Sequence, residues 1–159
     1  MNVASGLVMF LASASAFSLF GTNSFLRKGA KQDPICQEPG DPSLTVITNA
    51  DIGEGKKALL KGISDAIIAS TGKPESYVAA AVLDNQAMIW GADTEIPCAL
   101  CTFNSLGAVN VENNAKLQAS ITALLEPYGI APTKIYTTFN DIARENMGYD
   151  GRTFAGATF

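Results

Sequence analysis

The amino-acid sequence predicts an α+β fold, an α/β two-layer domain in which a duplicated β-α-β unit builds one four-stranded mixed sheet with two helices on one face. Two stretches carry apolar residues at helical spacing, and each ends at a glycine followed by a proline and a strand-like segment: Gly72 with Pro74, and Gly129 with Pro132. Right-handed crossovers would place both helices on the same side of the shared sheet.

Residues 1–16 have the composition of a signal peptide. Residues 6–12 are apolar and end near Ala14 and Ala16, which have the small-x-small spacing of a signal-peptidase site. The apolar run is too short to span a membrane, and a buried N-terminal helix is the alternative interpretation. This pattern predicts entry into the secretory route and cleavage after Ala16.

Residues 17–41 are interpreted as a transit or pro-segment and linker. They are basic and hydroxylated up to Asp33, and prolines follow. The Ala-x-Ala-Phe junction at Phe17 resembles that of bipartite plastid presequences. We therefore expect a secreted, extracellular protein, with a complex plastid as the alternative compartment, and residues 42–159 as the folded domain.

The first structural unit begins directly after this linker. Residues 43–48 predict a strand, and Asp51 followed by Glu54 has the spacing of a capping box at a helix start. The apolar stripe of this helix consists of Leu59, Leu60, Ile63, Ala66 and Ile67. Gly72 is expected to end the helix, and residues 77–83 predict the second strand.

The second unit repeats this order of elements. Residues 99–104 predict an extended segment, and residues 112–128 predict a helix that stops at Gly129. Residues 134–139 predict the last main strand, and residues 147–154 form a glycine-punctuated tail.

The strand at residues 77–83 indicates that chains associate. Its first six residues are apolar at every position, whereas a strand with one face in water should alternate. No third long helix is predicted that could cover the second face. Subunits are therefore expected to bury this face against each other.

Composition excludes several classes of function. The chain has no histidine, which rules out the usual His-containing triads, His-ligated zinc and histidine acid–base catalysis. The net charge of −4 lacks the basic excess that a nucleic-acid partner requires. We expect no metal site and no membrane contact in the mature form.

Six short segments carry a family pattern that extends without large gaps from Pro42 to Phe154: residues 42–49, 70–78, 98–101, 105–107, 135–136 and 146–149. Together they resemble the macrophage migration inhibitory factor family of the tautomerase superfamily. The resemblance implies a homotrimer whose sheets face inward, with active sites at the subunit interfaces and no cofactor. It also implies a small aromatic 2-keto acid or enol substrate of the phenylpyruvate or dopachrome type.

The same resemblance implies roles for individual residues. Pro42 matches the family's N-terminal catalytic base, Lys73 the lysine that binds the substrate carboxylate, and Leu106 the position whose backbone N–H holds the substrate. The other substrate-binding positions are Tyr136, Thr138, Met147, Tyr149 and Phe154, with Tyr136 supplied by the neighbouring subunit.

Three positions depart from the family pattern. Thr138 replaces an asparagine, Tyr149 replaces a tryptophan, and Ser43 replaces a larger apolar residue beside the proline. These changes bear on substrate preference and turnover more than on the type of reaction.

Keto–enol chemistry at Pro42 requires a free amine of near-neutral pKa. Burial near Lys73 would lower the pKa of a proline amine through desolvation and like-charge repulsion. In the uncut chain the Pro42 nitrogen is a planar amide without a basic lone pair, so activity requires cleavage directly before Pro42. Taken singly, Pro42 would be a linker proline and Lys73 a solvated helix-end lysine; the joint pattern favours the site.

Two other functions stay open at this point. A cytokine-like signalling or binding trimer, with a receptor protein as partner, would need no free proline amine. Cys98 and Cys101 have the CxxC spacing of thiol oxidoreductases, but residues three apart on a strand point to opposite faces. Buried structural thiols are therefore expected instead.

Overall fold

The computed structural model describes residues 41–156 of the chain. The predicted signal peptide, residues 1–16, and the predicted transit segment up to residue 40 lie outside the described residues. Within residues 41–156, no helix is long and apolar enough to cross a membrane.

The described residues form two strand–helix–strand units followed by a short hairpin. In chain order the elements are β1 Ser43–Thr48, α1 Lys56–Thr71, β2 Ala79–Leu83, β3 Ala99–Ser105, α2 Val111–Leu125, β4 Ile135–Asp141, β5 Gly148–Tyr149 and β6 Arg152–Thr153. Because β1 and β2 flank α1 while β3 and β4 flank α2, the predicted duplication is confirmed.

The four long strands form one mixed sheet in the order β2-β1-β3-β4. Each unit contributes a parallel pair, and β1 runs antiparallel to β3 in the centre of the sheet. A helix joins the strands of each parallel pair, as such a connection requires, and the two helices pack against each other. The predicted four-stranded mixed sheet with two helices on one face is confirmed.

The start of α1 differs from the prediction. The Asp51 carboxylate accepts a hydrogen bond from the Gly53 N–H (2.9 Å), directly before a short 3-10 turn at Gly53–Gly55 whose N-cap is Ile52. The α-helix itself begins at Lys56 without a side-chain cap, and the predicted capping box with Glu54 is wrong. Its end is as predicted, because Gly72 takes a left-handed conformation (φ 73°) and its N–H donates to the Ile68 carbonyl.

The second strand and the second helix have shifted boundaries. A 3-10 turn at Glu75–Tyr77 delays β2 to Ala79, two residues later than predicted. α2 begins at Val111, where the Asn110 side chain accepts from the Asn113 N–H, and the predicted final residues form a separate 3-10 turn at Glu126–Tyr128. This turn contains a proline, which lacks the N–H that would continue the helix.

The sheet face beneath the helices holds the core. Leu44 and Val46 of β1 pair with Phe103 and Cys101 of β3, and all four side chains are buried. Both helices contribute apolar side chains to the same cluster: Leu59, Ile63, Ala66, Ile67, Leu117, Ile121 and Leu125. We call this side the covered face.

The opposite side of the sheet, which we call the open face, carries Thr45, Ile47, Ala81, Leu83, Leu100, Thr102, Tyr136 and Thr138. Nothing among residues 41–156 packs over it as the helices do on the other side. Leu83, Leu100 and Tyr136 are 42%, 46% and 67% exposed. The apolar second face that the sequence predicted for β2 is therefore left accessible in a single chain.

Candidate active site

Pro42 lies at one end of the sheet, between two strands. It directly precedes β1 and is buried, and its carbonyl accepts a hydrogen bond from the Ala79 N–H at 3.0 Å. The next residue, Ser43, pairs with Ala79 of β2 on one side and with Asn104 of β3 on the other. The ring is therefore set beside the start of β2 and the end of β3.

Lys73 brings a buried positive charge to the same end of the sheet. It follows the left-handed Gly72 and is only 1% exposed, so the interpretation as a solvated helix-end lysine is wrong. Its ammonium donates to the Leu106 carbonyl at 2.7 Å. A buried ammonium needs such acceptors, since an uncompensated charge in the interior is costly.

The loop after β3 supplies the acceptor for Lys73. The Gly107 N–H donates to the Asp141 carboxylate at 2.9 Å, which ties this loop to the end of β4. Gly107 and Ala108 both have positive φ angles (69° and 60°), so the chain turns sharply directly after Leu106. The turn holds the Leu106 backbone near the Lys73 ammonium. The family resemblance predicted that the backbone N–H at this position holds the substrate.

In the uncut chain, Asp41 brings a carboxylate to the Pro42 end of the sheet. Its Oδ1 atom is buried and has no hydrogen-bond partner among the described residues. Desolvation raises the pKa of this carboxyl above its ordinary value, and the charge of Lys73 opposes part of that increase. Cleavage directly before Pro42 would remove this carboxylate, so it is a feature of the precursor.

The C-terminal tail forms an aromatic wall that continues from the turn before β2. The rings of Tyr149 and Phe154 are stacked, with centroids 6.0 Å apart, and Tyr77 meets Tyr149 edge-on at 6.3 Å. Phe154 is buried, and its N–H donates to the Met147 carbonyl at 3.0 Å. The structure thus brings Met147, Tyr149 and Phe154 together, and adds Tyr77 to them.

Arg144 fixes the end of this wall. Its guanidinium donates to the Phe154 carbonyl through Nη2 at 3.0 Å and Nε at 3.3 Å. Arg144 could not be predicted from the sequence, because an isolated arginine in a tail gives no signal of a backbone contact ten residues away.

Tyr136 and Thr138 lie elsewhere in the same chain. Tyr136 pairs with Leu100, which pairs with Ile47, so it lies roughly 16 Å along the sheet from Pro42. Both side chains are exposed on the open face. Thr138 pairs with Thr102, which pairs with Thr45, so it lies in the middle of the sheet. One chain therefore separates Tyr136 and Thr138 from the predicted site residues at the Pro42 end.

The two thiols belong to the protein interior. Cys98 and Cys101 are free and buried. Burial raises the pKa of the Cys101 thiol to about 11 and also raises that of Cys98. Neither has the lowered pKa of a reactive thiolate, which is the arrangement expected for structural thiols. Among residues 41–156, no cluster of three or more potential ligands could hold a metal ion.

The sequence is similar to those of known proteins. The family described as "Macrophage migration inhibitory factor (MIF)" matches residues 41–155, which is more than half of the chain. A macrophage migration inhibitory factor homolog from Brugia malayi is 35% identical over 114 residues, covering 71% of this chain and 98% of the relative. The macrophage migration inhibitory factor of Meriones unguiculatus is 31% identical over 115 residues, covering 72% and 99%.

Solved structures give the same result. The macrophage migration inhibitory factor of Toxoplasma gondii has a TM-score of 0.66 at 28% identity and covers 70% of this chain and 99% of its own. The macrophage migration inhibitory factor-like protein of Entamoeba histolytica also has a TM-score of 0.66 at 28% identity, covering 71% and 98%. Because both sequence and fold match along almost the whole length of these relatives, this chain belongs to the macrophage migration inhibitory factor family.

Proposed function

We propose that this chain, once cleaved directly before Pro42, is a keto–enol tautomerase acting on phenylpyruvate-like or dopachrome-like substrates. The observation that carries the proposal is the buried Lys73 at the Pro42 end of the sheet. A fixed ammonium in an apolar site is suited to pairing with the carboxylate of a 2-keto acid. The same charge favours the neutral form of a nearby proline amine.

The reaction then needs one proton carrier. In the keto-to-enol direction the free Pro42 nitrogen removes a proton from the carbon beside the carbonyl, the carbonyl oxygen gains a proton from solvent, and the ring nitrogen then releases its proton to solvent. In the reverse direction the enol oxygen gives its proton to solvent, the protonated ring nitrogen delivers one to carbon, and the nitrogen is protonated again by solvent, so no cofactor is consumed. Lys73 holds the carboxylate, the Leu106 backbone lies beside it, and Met147, Tyr149 and Phe154 form the pocket wall.

The proposal includes a homotrimer. Association would cover the open face, where Leu83, Leu100 and Tyr136 are accessible in one chain. It would also bring Tyr136 and Thr138 of one subunit to the Pro42 end of the next, whereas within a chain they are separated from that end. A small aromatic substrate would then lie between subunits.

The decisive experiment compares three N-termini. A form that starts at Pro42 should ketonise enol-phenylpyruvate, whereas a form that retains Asp41 should have no activity above background, because its Pro42 nitrogen is an amide. Pro42→Gly in the Pro42-start form should lose about 100-fold or more of kcat, the usual contribution of a general base. Lys116→Met, which alters an exposed lysine on α2, is the matched control and should be unaffected. Full activity in the form that retains Asp41 would refute the proposal.

The alternative is a secreted cytokine-like or binding trimer that acts through a receptor protein. The names of the relatives favour it, since they describe inhibition of macrophage migration. The N-terminal sequence of the protein isolated from its own cells separates the two. A folded, trimeric and inactive protein that begins upstream of Pro42 would support the binding function, and a start at Pro42 would support the enzyme.

A further inference from the structure

The inference concerns Trp90, the single tryptophan of the chain, which no sequence argument had assigned to the site. Its ring packs against the ring of Tyr136, with centroids 4.4 Å apart and planes tilted by 36°. Tyr136 nevertheless remains 67% exposed, so Trp90 supports part of the ring and leaves the rest accessible on the open face.

The backbone of Trp90 is fixed by a tight turn. Trp90 and Asp93 exchange two hydrogen bonds, from the Trp90 N–H at 2.9 Å and from the Asp93 N–H at 3.2 Å. Gly91 and Ala92 between them have φ angles of 58° and 68°, the positive pair typical of a type I′ hairpin turn. The Asp93 carboxylate also accepts from the Glu95 N–H at 2.8 Å. The indole is therefore attached to a rigid loop.

Lys134 holds the indole from the turn that leads into β4, the strand that carries Tyr136. Its ammonium lies 5.6 Å from the centroid of the Trp90 ring, within the range of a cation–π contact. Lys134 directly precedes β4, and its N–H donates to the Ala131 carbonyl at 2.8 Å. Trp90 thus contacts two side chains, at positions 134 and 136, that are two residues apart.

We infer that Trp90, held by Lys134, is a positioning residue that fixes the Tyr136 ring as a rigid wall of the neighbouring subunit's site and so favours aromatic over aliphatic 2-keto acids. This rests on the proposed function, because it requires Tyr136 to line a pocket in an adjacent subunit. An exposed tyrosine on a strand can otherwise turn about its side-chain bonds. Fixing it in advance lowers the entropic cost of stacking an aromatic substrate on it.

The kinetic test uses the form that starts at Pro42. Trp90→Leu should raise KM for enol-phenylpyruvate about 3- to 10-fold, the range of one aromatic pair, with kcat within about twofold. KM for an aliphatic enol of a 2-keto acid should stay within about twofold. Trp90→Phe keeps a ring and should restore the aromatic KM, and Lys134→Met should raise it about twofold.

Ile89→Ala is the matched control, because Ile89 precedes Trp90 on the same loop and is exposed. It should leave both KM values unchanged, and light scattering should find every variant in the same oligomeric state as the parent. A loss of kcat at unchanged KM, or an equal change for both substrates, would show a merely structural role and overturn the inference. If Trp90→Leu does not fold, the KM of Lys134→Met and a titration of the Trp90 emission test the inference instead.

The emission of Trp90 gives a readout that needs no turnover. Titration with phenylacetate, an aromatic carboxylate that is not a keto acid, should change the emission saturably, whereas acetate should not. The change should disappear in Tyr136→Leu. Absent turnover by the Pro42-start form would sink the proposed function, but a saturable Tyr136-dependent change would still support this inference. Emission that phenylacetate leaves unchanged would overturn the inference, even in an active enzyme.

Discussion

The two faces of the sheet differ in what buries them. The covered face pairs Leu44 and Val46 with Phe103 and Cys101 and is closed by both helices of the same chain. The open face presents Leu83, Leu100 and Tyr136 with no comparable cover from residues 41–156. The covered face accounts for the stability of one chain, whereas the open face is where assembly and the second half of the site are expected. Substitutions on the two faces should therefore fail in different ways.

The largest effect is expected on the open face. Leu100→Lys should convert the proposed trimer to a monomer, because each of three copies loses about 1.5–3 kcal/mol of apolar burial and adds a charge to the interface. Light scattering after size-exclusion chromatography measures the mass. Val111→Lys, at a helix position that is 90% exposed, is the control and should leave the trimer intact. A Leu100→Lys protein that remains trimeric would remove this face from the interface.

The next effect is expected on the covered face. Phe103→Ala should lower the free energy of unfolding by about 3–5 kcal/mol, because it removes a buried ring that meets Phe139 edge-on at 6.1 Å. Denaturant titration at fixed protein concentration measures the loss. Val111→Ala should change the unfolding free energy by no more than about 0.5 kcal/mol. Similar losses for the two variants would show that the covered face adds no more to the stability of one chain than an exposed helix position does.

Thiol reactivity sharpens the same comparison. With a pKa of about 11, against an ordinary value of 9.0, Cys101 has about 100-fold less thiolate near neutral pH. Iodoacetamide should therefore label Cys101 of the folded Pro42-start form at least about 100-fold more slowly than in guanidinium chloride, as measured by peptide mass spectrometry. Val111→Cys supplies an exposed thiol for comparison and should react quickly in the folded state. Fast labelling of Cys101 would show that the covered face opens readily.

The smallest effect concerns Asp41 in a form that retains it. Its pKa is raised in the folded state, so the folded chain binds a proton more tightly than the unfolded chain. That contribution to stability is complete below the ordinary value of 3.8 and is lost as pH rises through the folded pKa. Asp41→Asn should therefore be more stable than the parent at neutral pH, with the difference shrinking toward pH 3.8. A difference that grows on acidification would have the wrong sign.

Much of the fold could be predicted because local signals and the apolar pattern agreed. Gly72 ended α1 as expected, because glycine adopts the left-handed conformation at little cost. Gly129 is left-handed too, but it ends the 3-10 turn that follows α2 and not the α-helix itself. The start of α1 could not be predicted in the same way. Asp51 hydrogen-bonds a nearby N–H with equal ease in a 3-10 turn or an α-helix, so its spacing to Glu54 did not distinguish the two.

Residues of the candidate site could be predicted where the family pattern identified single positions. Residues that join the site only through contacts between distant parts of the chain could not. Pro42 and Lys73 were found by that pattern, and the structure places both at one end of the sheet. The burial of Lys73 depends on the Leu106 carbonyl, which is 33 residues away in sequence. The contact between Trp90 and Tyr136 could not be predicted from the sequence. It joins a loop to a strand 46 positions later, and a local sequence pattern carries no information about such a contact.

The hydrogen bond between the Pro42 carbonyl and Ala79 has a consequence for maturation. An endoprotease needs several extended, accessible residues on both sides of the bond it cuts. Here the residues after Pro42 form a central strand, and the Pro42 ring is buried. An endoprotease would thus have to cut before β1 joins the sheet or after β1 is partly released from it. The alternative is an aminopeptidase that removes the upstream residues one by one until Pro42 is the first residue. The order of folding and processing would then determine whether a cell obtains enzyme or an inert precursor.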